Sequence, residues 1–454
     1  MSDYSFVFNN PKLSDRTLYL RVFEDDDKIS KKRKISDGLA DNLSRSLDQL
    51  YVSSAILATK SKYFMSMFAG DMKESSMKEV MIPLRENEIT VFKQMIEVIY
   101  TLKLNIKVQD LPVFLTLIDR FQVTGIMDTV VQFITASNIE FNDYIEILDL
   151  IHDKDADIFK CLYDHIVSYL ENMFEEFDIM WLRPEFVKLS LIAVKIVLKS
   201  PKIKVHSENT IFTAMLRWVY TYLPNKIVSD MKVDSDQITD NRVKYINELY
   251  MIPRYPMMSA SYLGTIVVGN KIFDYLEDRT NADYLVSKSL YWKACTPDER
   301  TEIKSQVNST FQDTFEPRPD NPKANTLSLS WKIKIDERLK TGTRVSEVFY
   351  VDGYPMCLLV VMRVIDDTEH IGVYISHTNN KILTRVTPIG RFKLLYQLKN
   401  KRTSNYDQAY SKDVLISSTW GGSIYKFTTW DDLLQSDYNV DGYLDLKAVI
   451  SLIP

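Results

Sequence analysis

Residues 60–83, KSKYFMSMFAGDMKESSMKEVMIP, pass from one structural pattern to another twice. The stretch opens with apolar residues at helical spacing, Tyr63, Phe64, Met67 and Phe68. The charged segment MKES follows and predicts an exposed turn, and the apolar run 80–82 then predicts a short strand. Residues 90–102 return to helical spacing. A helix, a turn, a strand and a second helix in this order predict an α+β domain near the start of the chain.

The segment before this stretch predicts a small sheet with a long insertion. Residues 17–23, TLYLRVF, alternate with a period of two, which is typical of a strand. Residues 24–49 are polar, with an acidic block before a basic one, and predict an exposed loop. The basic run 31–34, KKRK, is either a nuclear localisation signal or part of a solvated loop. Ser54 is the predicted N-cap of the helix that continues to Phe68.

The rest of the chain changes from a helical to a strand-like pattern. Amphipathic helices are predicted after the first domain, including one over residues 205–223 with Ser207 as its N-cap. Residues 309–326 hold three prolines and few apolar residues, which is typical of a linker. Beyond it, short runs rich in β-branched and aromatic residues, with turn signals such as Asp352-Gly353, predict an antiparallel β-sandwich.

These patterns divide the 454 residues into three expected domains and a linker. The expected boundaries are 1–135 for the α+β domain with its charged insertion 24–49, 136–308 for a helical domain, 309–326 for the linker and 327–454 for a β domain. The predicted fold class is therefore a multidomain α+β protein, in which an all-α and an all-β domain follow the first domain.

Composition and charge exclude several classes of protein. The net charge of −5 and the pI of about 5.7 do not give the basic surface of a general nucleic-acid-binding protein. Cys161, Cys295 and Cys357 are too far apart for a disulfide framework or a cysteine zinc site. The sequence shows neither a secretory signal nor an apolar run of the ~18 residues that a membrane helix needs. We expect a soluble intracellular protein of the cytoplasm, the nucleus or both, without a nucleic-acid or membrane partner.

The motifs that would indicate an enzyme are absent from the sequence. It contains neither glycine-rich phosphate-binding motif, G-x-G-x-x-G or G-x-x-x-x-G-K-[ST], and neither H-E-x-x-H nor G-x-S-x-G. His370 and His377 flank a predicted strand, but their spacing places them on opposite faces, which suits a metal ion poorly. We expect a protein with no catalytic site, no metal and no cofactor.

Several segments carry a family resemblance. Residues 50–127 resemble a BTB (POZ) domain in LATKSKYFMSMFAGDMKES, KEVMIP, TVFKQMIEVIYT and LIDRFQVTGIM, with Asp15 before a strand. Ser53 stands where many BTB domains have histidine, and SSAIL resembles plant light-response BTB proteins. VHSENTIFTAMLRWVYTYL, YMIPRYPMMSASYLGTIV and KSLYWKACTPDER resemble the BACK domain of the same proteins. Residues 418–452 resemble the end of a MATH (TRAF-like) domain. The resemblance implies a BTB/POZ fold, then all-α BACK helices, then an all-β antiparallel TRAF-like sandwich.

A protein of this kind is implied to be a substrate-recognition adaptor of a cullin-3 RING ubiquitin ligase. Its BTB domain would form a homodimer and bind cullin-3, its BACK domain would extend the cullin contact, and its β domain would bind the protein to be ubiquitinated. The alternative is a BTB scaffold or transcriptional co-regulator that mediates protein–protein contacts without a cullin, and the KKRK run suits a nuclear role. An assembly protein of a cytoskeletal or membrane complex would use the same modules.

The resemblance also implies a cullin contact. In BTB adaptors, a turn that carries an apolar residue and an acid meets the cullin, and Met72 and Glu74 match these positions. The alternative is a solvated turn in which Met72 packs against its own domain. Phe68, Tyr100 and Phe121 are expected in the core, because aromatic residues at helical spacing usually lie there.

Four residues are implied or predicted to lie at the dimer interface. Asp15 and Lys60 match the charged pair near that interface in the family. We expect them to pair, because an unpaired buried carboxylate costs several kcal/mol. Phe6 and Phe8 belong to a predicted apolar N-terminal strand, which either exchanges between protomers or packs on its own subunit.

The substrate groove is predicted from two aromatic residues of the β domain. Trp420 matches the tryptophan of the W-G-F run in MATH domains, but Gly422 stands where that run has phenylalanine. Tyr374 is the second candidate. The alternative is that Trp420 belongs to the core of the sandwich.

Overall fold

A computed structural model describes most of the chain. The described residues are 4–22, 48–70, 72–222, 240–270, 276, 279–306, 315–319, 326–336, 339, 342–377, 390–416, 423–435 and 437–453. The chain divides into two compact units, Met1–Leu170 and Glu171–Pro454. No helix in the described ranges is both long and apolar enough to cross a membrane.

A three-stranded sheet begins the first unit. Its strands are β1 (Arg16–Val22), β2 (Asp48–Val52) and β3 (Glu79–Leu84), in the order β2-β1-β3. β1 is antiparallel to β2 and parallel to β3. Exposed and buried residues alternate along β3, which confirms the predicted strand at 80–82. The predicted loop 24–49 is wrong at its end, because Asp48 and Gln49 pair with β1; the rest of it, including the run 31–34, lies outside the described residues.

The helix predicted from Ser54 to Phe68 is two helices. The helices up to the end of the first unit are α1 (Ser54–Lys60), α2 (Lys62–Ala69), α3 (Ile89–Thr101), α4 (Leu111–Arg120), α5 (Met127–Ser137), α6 (Phe141–Ile151) and α7 (Ala156–Met173). Ser61 has an extended backbone between α1 and α2. Its hydroxyl accepts the Phe64 N–H at 3.0 Å and donates to the Phe121 carbonyl at 2.6 Å. Ser61 therefore caps α2 and fixes the break.

Phe121 lies at the centre of an aromatic cluster in the core of the first unit. Its ring centroid is 5.0 Å from that of Phe92 and 5.7 Å from that of Phe64. Phe68, Tyr100 and Phe121 are all buried, as the helical spacing predicted. Aromatic pairs at these distances contribute about 0.5–1.5 kcal/mol each beyond the area that they bury.

Short helices form the first part of the second unit. They are α8 (Phe177–Met180), α9 (Pro184–Val187), α10 (Leu191–Lys199), α11 (Glu208–Tyr222), α12 (Asp240–Leu249), α13 (Ala260–Tyr262, continued by the π-helical turn Leu263–Val267), α14 (Arg279–Ala294) and α15 (Pro297–Gln306). Ser207 caps α11 as predicted, because its hydroxyl accepts the Asn209 N–H at 3.1 Å. The Trp218 indole donates to the Leu189 carbonyl at 2.9 Å and so fixes α11 against the connection between α9 and α10.

Two antiparallel sheets form the carboxyl-terminal part of the second unit. Their strands are β4 (Thr326–Lys334), β5 (Thr343–Val345), β6 (Phe349–Val351), β7 (Tyr354–Ile365), β8 (Thr368–His377), β9 (Gly390–Lys399), β10 (Tyr406–Ile416), β11 (Ser423–Thr429), β12 (Asn439–Val440) and β13 (Tyr443–Ile453). The helix α16 (Trp430–Gln435) follows β11.

The two sheets have separate strand orders. The β4 sheet has the order β10-β9-β13-β12, with β4 paired to β13, and the β5 sheet has the order β11-β8-β7-β5, with β6 paired to β7. Tyr396 of β9 and Phe427 of β11 meet edge to face between the sheets, with ring centroids 6.3 Å apart. The predicted antiparallel β region is thereby confirmed, while its assignment to the TRAF-like sandwiches stays a prediction.

The predicted linker 309–326 is packed against the helices where the structure describes it. Arg318 is buried, and its Nε donates to the Glu208 carboxylate at 2.5 Å. Its terminal nitrogens donate to the carbonyls of Ser200 and Leu198 at 2.7 and 2.6 Å. These partners precede Arg318 by 110 to 120 residues, so the composition of the segment could not reveal them. Residues 315–319 are therefore packed, and the assignment of 309–326 as a linker stays a prediction.

The predicted Asp352-Gly353 turn joins the β region to the helices. Thr213 of α11 donates to the Gly353 carbonyl at 2.8 Å, and the Asn209 amide donates to the Asp352 carbonyl at 3.3 Å. Gly353 has a φ of +76°, and a Cβ atom there would lie 2.7 Å from the Asn209 carbonyl oxygen. The turn therefore requires glycine for its backbone conformation and for its close contact with α11.

Candidate protein-interaction sites

Met72 and Glu74 lie in the short connection between α2 and β3. Met72 directly precedes a 3₁₀ turn, Lys73–Ser76. Ser75 closes this turn on the Met72 carbonyl with its N–H, at 3.1 Å, and with its hydroxyl, at 2.6 Å. The Arg16 guanidinium of β1 donates to the Ser75 carbonyl at 2.9 Å. Hydrogen bonds therefore fix the backbone of the turn to itself and to the sheet.

The side chain of Met72 points away from this framework. It is 54% exposed, so the alternative that Met72 packs into its own domain is wrong. Glu74 is half-buried. The burial of Tyr63 raises the pKa of its hydroxyl, and the nearby charge of Glu74 adds to this shift, while the charge of Arg120 opposes it. An exposed thioether next to a carboxylate offers a partner both an apolar contact and a charged hydrogen-bond acceptor.

Sequence reasoning missed three further exposed methionines near this turn. Met65 on α2, Met77 after the turn and Met81 on β3 are 49%, 48% and 49% exposed. The sequence held a signal for Met81, because it alternates with the buried Val80 and Ile82. Flexible, polarizable methionine side chains suit a surface that adapts to a partner.

Asp15 contacts the start of α1. Its carboxylate accepts the Ser54 N–H at 2.8 Å and the Ser54 hydroxyl at 2.5 Å. Ser53 occupies the N-cap position but makes no side-chain capping bond, so the predicted role of Ser54 as N-cap is wrong. A carboxylate from outside the helix supplies the cap instead. Partial burial raises the pKa of Asp15, but the bonds from Ser54 outweigh it and hold this pKa below its ordinary value.

The setting of Asp15 differs from the one that motivated its pairing with Lys60. The Asp15 side chain is 52% exposed, and Arg16 lies 4.0 Å away. A half-exposed carboxylate that is hydrogen-bonded and hydrated does not require an ion-pair partner. Lys60 is the last residue of α1, where its carbonyl accepts the Thr124 N–H at 2.7 Å. The Asp15–Lys60 pair stays a prediction.

The amino-terminal segment forms turns rather than the predicted strand. The Val7 N–H donates to the Tyr4 carbonyl at 2.9 Å. The Phe8 ring packs 5.7 Å from Tyr100, so this residue contacts its own subunit. Phe6 is 67% exposed. The strand prediction is wrong because consecutive turns close over these residues: the Phe8 N–H also donates to the Ser5 carbonyl, at 3.2 Å.

An open cavity of about 580 Å³ lies beside Lys60. Its lining comes from the amino-terminal segment, α1 and the end of α3, and consists of Tyr4, Ala55, Ile56, Thr59, Lys60, Ile99 and Leu102. The cavity brings Lys60 next to the amino-terminal segment that also carries Phe6 and Phe8. Two parts of the predicted dimer interface therefore lie in one region of the first unit.

The predicted substrate groove is described only in part. Trp420 and Gly422 lie outside the described residues. Tyr374 of β8 is buried, and its ring lies across Gly372 and 5.2 Å from the Arg363 guanidinium. Its hydroxyl is enclosed and has no hydrogen-bond partner among the described residues. In this position Tyr374 offers little surface to a substrate, and its assignment to a groove stays a prediction.

The described part of the chain shows no candidate metal centre. Within it, no three His, Cys, Asp or Glu side chains are grouped as they would need to be to hold a metal ion. The features that the fold brings together are the Met72 turn, the cavity beside Lys60 and the sheets of the β region.

Comparisons with known proteins assign the first half of the chain. Residues 43–138 match the BTB/POZ domain, and residues 155–229 match the family described as BTB And C-terminal Kelch, or BACK. The chain is 23% identical over 250 residues to the BTB/POZ domain-containing protein At4g01160 of Arabidopsis thaliana, a match that covers 55% of this chain and 44% of that protein.

Animal proteins show a similar relationship. The chain is 24% identical over 252 residues to Kelch-like protein 3 of Homo sapiens and 21% identical over 248 residues to Kelch-like protein 7 of Gallus gallus. Each match covers 55% of this chain and 38% of the relative, so the chain spans less than half the length of these proteins. The chain therefore contains a BTB/POZ domain followed by a BACK domain, ahead of a carboxyl-terminal region of antiparallel sheets.

Proposed function

We propose that this protein is a substrate-recognition adaptor of a cullin-3 ubiquitin ligase. The BTB/POZ domain forms a homodimer and binds the cullin, and the carboxyl-terminal β region, as a TRAF-like domain, binds the target. The BTB/POZ and BACK matches and the Kelch-like relatives support the general adaptor role. The exposed Met72 on a hydrogen-bonded turn carries the cullin contact, because a fixed backbone presents the side chain without the cost of ordering the backbone on binding.

Such an adaptor works by proximity rather than by chemistry of its own. One region holds the target while the other holds the ligase arm that delivers ubiquitin. Binding both raises the effective concentration of the reacting groups, which accelerates transfer without an added catalytic residue. A homodimer would provide two target sites and two ligase arms in one assembly.

The test is a binding measurement between the full chain and the amino-terminal domain of cullin-3. Met72→Ala combined with Glu74→Ala should weaken binding at least tenfold, which corresponds to about 1.4 kcal/mol. The dimer should remain intact, because the backbone of the turn is held by Ser75 and Arg16 rather than by the two altered side chains.

Val364→Ala is the matched control, since Val364 on β7 is 67% exposed and lies far from the turn in sequence. Its cullin binding should equal that of the wild type. If the double variant binds as tightly as the wild type, Met72 and Glu74 are not contacts. A folded wild-type dimer that binds no cullin would leave the scaffold function in place of the ligase adaptor.

A further inference from the structure

A cleft in the β region lies where edges of its two sheets meet. It has a volume of about 560 Å³ and is lined by Trp331, Lys332, Ile333 and Lys334 of β4, Arg344 and Val345 of β5, and Asp336 between them. Among the described strands, β4 pairs only with β13 and β5 only with β7. Both strands are therefore at sheet edges, where unpaired backbone groups can accept another strand.

The register of β4 shows which backbone groups face this cleft. The Ile335 N–H donates to the Gly442 carbonyl at 2.9 Å, and Ile333 and Trp331 lie opposite Leu444 and Leu446. Hydrogen-bonded pairs alternate along an antiparallel ladder. The backbone N–H and C=O groups of Ile333 and Trp331 therefore hydrogen-bond to β13. The N–H and C=O groups of the alternate residues, Lys332 and Lys334, point to the open edge.

The side chains of β4 divide between the two faces of its sheet. Ile333 is buried on the core face, where Trp331 also lies, and the side chains of Lys332 and Lys334 are exposed on the opposite face. Val345 of β5 is 57% exposed in the same cleft. A strand added to this edge would place alternate side chains against an apolar wall and against two lysines.

The charge of the cleft is positive. Arg344 donates to the carboxylate of Asp336, the acidic residue of the lining, at 2.6 Å, so these two charges offset each other. Asp445, which lies opposite Lys332 on β13, is buried and accepts the Tyr406 hydroxyl at 3.0 Å. Neither Lys332 nor Lys334 forms a salt bridge with another described residue, although the charge of Lys334 also acts on Asp336. The two lysines therefore favour an acidic occupant.

We propose that the β4 edge binds an extended segment of a partner protein as an added strand. Acidic and apolar residues alternate along this segment. Its acidic residues face Lys332 and Lys334, and its apolar residues face Trp331, Ile333 and Val345. The proposal rests on the proposed function, since it gives the chemistry of the target that the β region holds. Backbone pairing supplies affinity and the alternating side chains supply specificity. A second copy of β4 fits poorly, because antiparallel pairing would set lysines against lysines.

The test is selection of random seven-residue peptides displayed on phage against the immobilised full chain. The selected peptides should carry Asp or Glu at every second position and apolar residues between them. Synthesised and labelled, they should bind Lys332→Glu/Lys334→Glu at least tenfold more weakly than the wild type. Lys393→Glu, a change of the same kind at an exposed lysine of β9, should bind them as the wild type does.

A second pair of variants separates the backbone contribution from the charge. Lys332→Pro removes an outward N–H that β13 does not use, and Lys332→Ala removes the side chain but keeps that N–H. The proline variant should bind the peptides more weakly than the alanine variant. The far-UV circular dichroism spectrum of the full chain should be unchanged in every variant, which shows that the β region remains folded. Cullin-3 binding should also be unchanged, which separates a failure here from a failure of the ligase function.

Four results would overturn the proposal. Selected peptides without the alternation, or with equal affinity for Lys332→Glu/Lys334→Glu and the wild type, would remove the cleft as their site. Equal binding by the proline and alanine variants would show that no strand is added. The last result concerns a single-stranded RNA oligonucleotide that binds the wild type more tightly than the peptides do. If Lys332→Glu/Lys334→Glu abolishes this RNA binding, the cleft binds phosphate instead.

Discussion

The buried guanidinium of Arg318 connects three segments of the second unit. It contacts the Glu208 carboxylate at the start of α11 and the carbonyls of Leu198 and Ser200 at and beyond the end of α10. Arg318→Ala should lower the free energy of unfolding by about 3–5 kcal/mol, because it leaves a buried carboxylate without its counter-charge. Urea unfolding of the full chain, followed by the fluorescence of its tryptophans, measures this change.

Lys304 provides the control for that prediction. Its ion pair with Glu316 lies in the same part of the chain, but the two side chains are 39% and 64% exposed. Lys304→Ala should therefore change the free energy of unfolding by less than about 1 kcal/mol. Equal effects of the two substitutions would mean that burial does not decide the strength of the Arg318 pair.

Single residues show why part of the interaction sites escaped prediction. The Met72 turn follows from the local order of apolar and charged residues, and the structure exposes Met72 as that order suggests. The capping of α1 by Asp15 does not follow from the local sequence, because donor and acceptor are 39 residues apart and the sequence predicts Ser54 as the cap. Arg318 is the same case at a longer range. Sequence patterns report a residue's neighbours in the chain, whereas these contacts depend on its neighbours in space.

At the scale of elements, the β6–β7 turn positions the β region against α11. Gly353→Ala should destabilise the second unit by more than about 1 kcal/mol, because it adds a contact of 2.7 Å with the Asn209 carbonyl to the strain of a φ of +76°. Limited proteolysis of the full chain should then cleave between the helices and the β region faster than in the wild type.

Gly442 is the matched control, since it also follows an aspartate in a hairpin turn and has a φ of +80°, but a Cβ atom there would meet nothing within 4 Å. Gly442→Ala should show only the cost of the backbone conformation and no faster cleavage at the junction. Similar cleavage of the two variants would show that the contact with Asn209 does not hold the turn in place.

Element types were easier to predict than element ends. β3 and α3 follow from periods of two and 3.6 residues in their own sequences. The break between α1 and α2 was missed, because apolar spacing continues through Ser61 and only its bonds to Phe64 and Phe121 reveal the break. The apolar residues of the amino-terminal run predict a strand, although the asparagines that follow Phe8 favour a turn.

At the scale of the whole molecule, the composition shift after residue 308 predicted the change from helices to sheets, but not that a packed segment joins them. The compact units part between Leu170 and Glu171, whereas the predicted helical domain begins at residue 136. Helices α5 and α6 therefore group with the sheet of the first unit. Helical periodicity shows that a segment has an apolar face, and only the fold shows which neighbour covers it.

The proposed homodimer gives a prediction for the whole assembly. Phe6→Asp should raise the dissociation constant of the dimer at least tenfold in sedimentation equilibrium of the full chain, because it places a charge on an apolar contact beside the cavity at Lys60. The far-UV circular dichroism spectrum should not change, since Phe6 is 67% exposed in the single chain and its replacement leaves the fold of the protomer intact. Val364→Asp alters a residue of the same exposure on β7 and should leave the dimer unchanged. If both variants dissociate like the wild type, the amino-terminal segment lies outside the interface, and Phe8 serves only to pack against Tyr100.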